Sequence, residues 1–128
     1  MDFRKINFDN RPELVSDEGT CIRVNFDVEE AEMDISTSFD GGDNEKTTKK
    51  TIFKAYVIRI PQPVSYDNIV NAIVSSAYPA DKMQAIINNH LLEDNDENSE
   101  HEAEFRAMQD WRKHAKEIAK EVISIVNV

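Results

Sequence analysis

The chain has 128 residues and is sized for a single domain, 1–128. Its 25 acids against 15 bases leave a net charge of −10, which argues against nucleic acid and anionic lipid as partners, since their phosphates would repel it. No apolar run approaches the roughly 18–20 residues of a membrane span, and the single cysteine, Cys21, excludes an internal disulfide and a cysteine-built zinc site.

Residues 1–18 read as an N-terminal arm. Its opening, MDFRKINFDN, is mixed and acidic, unlike a signal peptide. Phe3, Ile6 and Phe8 are placed to pack on the domain as a short strand or a tied-down arm. Pro12 disfavours helix at Arg11. Leu14 and Val15 form one turn of helix or cover an edge.

Residues 19–60 predict an antiparallel sheet. Over 20–28, Ile22, Val24, Phe26 and Val28 alternate with Arg23, Asn25 and Asp27, giving one apolar face and one wet face. The acidic run 29–32 reads as a turn into a weaker strand at 33–39, with Met33, Ile35 and Phe39 inward. Gly41-Gly42 and polar neighbours make 40–50 a mobile hairpin loop, and it lacks the Gly-Lys-Ser/Thr of a phosphate loop. Residues 51–60, TIFKAYVIRI, are β-branched and aromatic with blurred alternation, as in a central strand covered on both faces. Pro61 and Pro63 end it. The result is a three-stranded antiparallel meander.

Residues 64–127 form the helical part. Ser65 caps a helix over 66–77 whose buried stripe is Ile69, Ile73 and Ala77, flanked by Val70 and Val74. Tyr78-Pro79 breaks it, and Pro79 opens a second helix over 80–92 that ends near His90. The third helix spans 99–126, opened by a capping box on Ser99 and Glu102. Its stripe is Phe105, Met108, Trp111, Ala115, Ile118, Val122 and Ile125. The fold class is therefore α+β: the meander followed by three helices packed on one face.

Chemistry-bearing patterns fail on spacing. The stretch 93–104 holds seven carboxylates and no lysine or arginine, but lacks the glycine and the final glutamate of a calcium loop. His90, His101 and His114 are not one helical turn apart, as metal-binding histidines on a helix are, and His101 and His114 read as surface residues. Ser75-Ser76 has no nucleophile elbow. Cys21 reads as a small buried hydrophobe. No catalytic, cofactor-binding or metal-ligating residue is assigned, and the expectation is a non-enzymatic protein without cofactor. Trp111 reads first as core and second as an interface anchor beside Arg112. Phe3 and Phe8 in the arm and Val122, Ile125 and Val126 at the apolar C-terminal end complete the candidate interface. Exposed edge-strand backbone is a further way to add a partner, though its charged flanks look like edge protection.

The stretch from Ala55 to Asp67, AYVIRIPQPVSYD, resembles a block in small uncharacterised proteins of Bacteroides phages and prophages. So do AIINNHLL at 85–92 and the segment 105–116. The Met108-Gln109-Asp110-Trp111-Arg112 stretch is also similar to the C-terminal helix of some phage tail-fibre assembly proteins. The resemblance covers roughly residues 50–120 and carries no established binding residue. It implies a structural or assembly protein of a virion or prophage, acting through a protein partner or self-association, in the host cytoplasm or on the virion. The competing expectation is a free acidic bacterial adaptor that docks on a basic protein partner. Neither uses nucleic acid, membrane or a small-molecule substrate.

Overall fold

Alternating apolar residues from Ile22 to Phe26 set the plan of the molecule. A computed structural model of the chain describes residues 2–37, 46–92 and 100–126. The elements are β1 (Ile6–Phe8), β2 (Val15–Asp17), β3 (Cys21–Thr37), β4 (Lys46–Pro61), α1 (Tyr66–Ala77), α2 (Ala80–Leu92) and α3 (Glu100–Val126). The strands form one antiparallel sheet in the order β1-β4-β3-β2. The architecture is α+β, with four strands where the sequence predicts a three-stranded meander.

Two corrections explain the difference. First, the predicted turn at 29–32 is part of one continuous strand, and 46–50, read as loop, is the start of β4. The acids do not break the ladder because bases lie across from them. Glu29 faces Lys54, Asp34 faces Lys49, and Lys49 Nζ reaches Glu32 Oε2 at 3.8 Å. Opposite charges across a ladder favour pairing. Second, the arm supplies both edges: β1 pairs with β4 and β2 with β3. The hairpin tip and the acidic run at 93–99, including Ser99 of the predicted capping box, lie outside the described residues.

Because β1 and β2 sit on opposite edges, residues 9–14 must cross the sheet between them. They cross the face away from the helices. The Arg11 guanidinium lies 5.4 Å from the Phe53 ring, and Asn25 Nδ2 donates to the Glu13 carbonyl at 2.8 Å. Asn25 is only 1% exposed. The face predicted to be wet is thus covered at its centre, and a polar side chain there is kept by what it bonds. Cys21, at the start of β3, is half-buried rather than buried, with Sγ 3.7 Å from Glu18 Oε1.

The helices cover the other face. Ile22, Val24 and Phe26 of β3 and Ile58 and Ile60 of β4 meet Ile69 and Ile73 of α1 and Ala115, Ile118, Ala119 and Val122 of α3. β4 is the central strand, buried at Ile52, Ala55, Ile58 and Ile60. Ser65 caps α1, its Oγ accepting from the Asn68 N–H at 3.2 Å. The break at Tyr78-Pro79 separates α1 from α2, and Ala77, Tyr78, Ile86 and Met108 form a second apolar cluster under α2.

Candidate functional site

The candidate contact residues divide between core and surface. Trp111 belongs to the interior. Its indole Nε1 donates to the Ile73 carbonyl at 3.1 Å, and its ring stands edge-on to Tyr56 at 5.5 Å and to Phe3 at 6.3 Å. Phe3 stacks on Tyr56 at 4.8 Å, so the arm is held by the same aromatic group. Val122 is fully buried and Val126 packs against that core. Phe8 lies in β1 opposite Phe53. Ile125 is 50% exposed at the end of α3.

Between Phe26 and Glu29 the ladder takes an extra residue on β3, and Asp27 there has a φ of 55°. A bulge of this kind re-aims a side chain. The Asp27 carboxylate is aimed at α3, where His114 Nε2 lies 2.7 and 2.9 Å from its two oxygens. His114 is therefore tied to the sheet and only half-buried, not a free surface residue. Its Nδ1 is 3.9 Å from Glu117 Oε2, so carboxylates flank the imidazole on both sides. That arrangement clamps α3 to the bulge. A second histidine does similar work: His90 Nδ1 lies 2.8 Å from Glu102 Oε2 and its ring stacks on Phe105 at 3.8 Å, joining the end of α2 to the start of α3. Among the described residues no group of three or more His, Cys, Asp or Glu side chains gathers as metal ligands would. No helix among them is long and apolar enough to cross a membrane.

Two surfaces stand out among the described residues. One is a cleft of about 540 Å³ where α1 and α2 diverge over α3. Val70 and Val74 of α1 and Met83 and Ile87 of α2 give it an apolar floor, with Arg112 and Lys116 of α3 beside them. The other is the ribbon formed by 29–37 and 46–54. Beyond Ile52 no third strand pairs with it among the described residues, and every side chain described at 32–34 and 48–51 is exposed. Met33 is a large apolar residue left 40% exposed there.

No family model, curated protein or solved structure matches this chain. The functional reading therefore rests on these two surfaces. Sequence patterning missed both. Val70 and Val74 read as flanks of the α1 stripe and Met83 and Ile87 as part of the apolar side of α2, with nothing to show that they line one cleft, and the signal for the ribbon was charge complementarity between 29–34 and 49–54, which is visible only once the strands are set side by side.

Proposed function

We propose that the chain is a non-enzymatic protein-contact module of the structural or assembly kind found in phages and prophages. One observation carries this reading: the two-stranded ribbon that continues past the layer covered by the helices. A ribbon with no third strand and no packing layer is marginal on its own. From Glu32 to Thr37 it reaches roughly 20 Å outward, at about 3.3 Å per residue. Its described side chains at 32–34 and 48–51 are exposed, and contact with a neighbour is what would cover them. The charges along it are balanced between strands, which keeps it in register, and among its described side chains Met33 is a large apolar one offered to a partner. The resemblance of residues 50–120 to phage and prophage proteins supplies the setting, a virion or its assembly.

Affinity capture from cells carrying the corresponding phage or prophage tests the reading. The full chain recovers virion or assembly proteins. A Met33→Asp/Lys50→Glu variant, changed at one cross-strand pair, loses them while keeping its circular dichroism spectrum. Recovery of the same set by both, or of none by the full chain, contradicts the proposal.

A further inference from the structure

We infer that the cleft between α1 and α2 is a docking groove for an acidic amphipathic helix of a partner protein. The two helices both pack on α3 and make far fewer contacts with each other, which leaves the groove open. Its lining side chains come in pairs four residues apart: Val70 and Val74, Met83 and Ile87, Arg112 and Lys116. Side chains so spaced stand about 5–6 Å apart on a helix. An incoming helix repeats every 5.4 Å, so it meets the groove in register, apolar stripe to apolar floor.

Charge fixes the sign of the occupant. The chain carries a net charge of −10, yet among the described residues no carboxylate lines this groove. Several bases elsewhere are paired, Lys5 with Glu29, Lys50 with Asp9, Arg59 with Glu18 and Arg106 with Glu102, whereas the described lysines and arginines of α3 beyond Arg106, Lys113 and Lys120 among them, have no ion pair with a described carboxylate. Among the described residues Arg112 and Lys116 have no such partner, and both are exposed. Two free cations one turn apart, beside an apolar floor, complement two carboxylates one turn apart beside an apolar stripe. The exposed carboxamides of Gln84 and Asn88, also four apart, line the groove from α2 and add neutral hydrogen-bonding groups.

The test uses two fluorescein-labelled synthetic helices of about 18 residues, or five turns. They share one leucine stripe, flanked by glutamates in the first and lysines in the second. Each is titrated with the full chain at low salt, and binding is read by fluorescence anisotropy. The bulk charge of the protein favours the lysine peptide, so a preference for the glutamate peptide is diagnostic. The expected result is binding of the glutamate peptide about tenfold or more tighter than the lysine peptide, weakening as salt is added. Arg112→Glu/Lys116→Glu lowers that affinity about tenfold or more, whereas Lys120→Glu, outside the groove, leaves it unchanged. Should the double reversal fail to fold, Arg112→Gln/Lys116→Gln replaces it, with the same direction of effect. No binding of the glutamate peptide, equal binding of both peptides, or indifference to the pair overturns the inference. The ribbon is a separate surface read by a separate experiment, so failure here leaves the contact-module reading standing.

Discussion

Asp27 holds a left-handed backbone conformation that costs a residue with a β-carbon about 1–2 kcal/mol, less for aspartate than for most. Its carboxylate is compensated by His114, on an element far along the chain. The clamp makes a measurable prediction. In a double-mutant cycle with Asp27→Asn, which tolerates the backbone angle, and His114→Gln, the two changes couple by about 1 kcal/mol in urea unfolding. Strict additivity would show that the pair contributes nothing beyond proximity. At this scale the sequence was legible where a residue's role follows from local periodicity. Trp111 falls in a helical stripe and is held in the aromatic interior by Phe3, Tyr56 and Phe26. The Asp27–His114 pair was not legible, because its members are 87 positions apart and nothing local marks a bulge. Asn25 was misplaced on a wet face for a similar reason: only the crossing of 9–14 makes that position interior.

The helices were readable as elements because their signals are local. Ser65, the Tyr78-Pro79 break and the three- and four-residue spacings give α1, α2 and the end of α3 directly. The strands were harder. An acidic run such as 29–32 reads as a turn when viewed alone, and its ladder partners, Lys54, Phe53, Ile52 and Thr51, lie on another strand, with Lys49 reaching Glu32 from the side. At the α1–α2 junction, Tyr78 offers a test of packing. Burial first, and the Glu104 carboxylate second, push its hydroxyl above the usual value of 10.0. The unfolded chain ionises Tyr78 before the folded one does. The stability from the neutral hydroxyl is therefore complete below pH 10 and is lost as pH rises through the higher folded value. Urea unfolding at pH 8 and pH 11 should show wild type losing more stability between the two than Tyr78→Phe. Equal losses would place Tyr78 in contact with water.

The whole molecule combines a clamped body with two open surfaces of different character. The body is held by one apolar layer between sheet and helices, by the strap at 9–14 and by the histidine ties at Asp27 and Glu102. The ribbon extends from this body, and the groove opens beside it with cations that the overall charge does not foreshadow. A protein that works by contact should use the part that its own fold leaves uncovered. Site-specific photo-cross-linking measures this most directly. A photoreactive residue is placed at position 33 on the ribbon, or at position 110 on the exposed side of α3 as a control, and irradiated in cells where the protein functions. The account predicts a discrete adduct from position 33 that position 110 does not give. No adduct from position 33, or the same adducts from both positions, would contradict it.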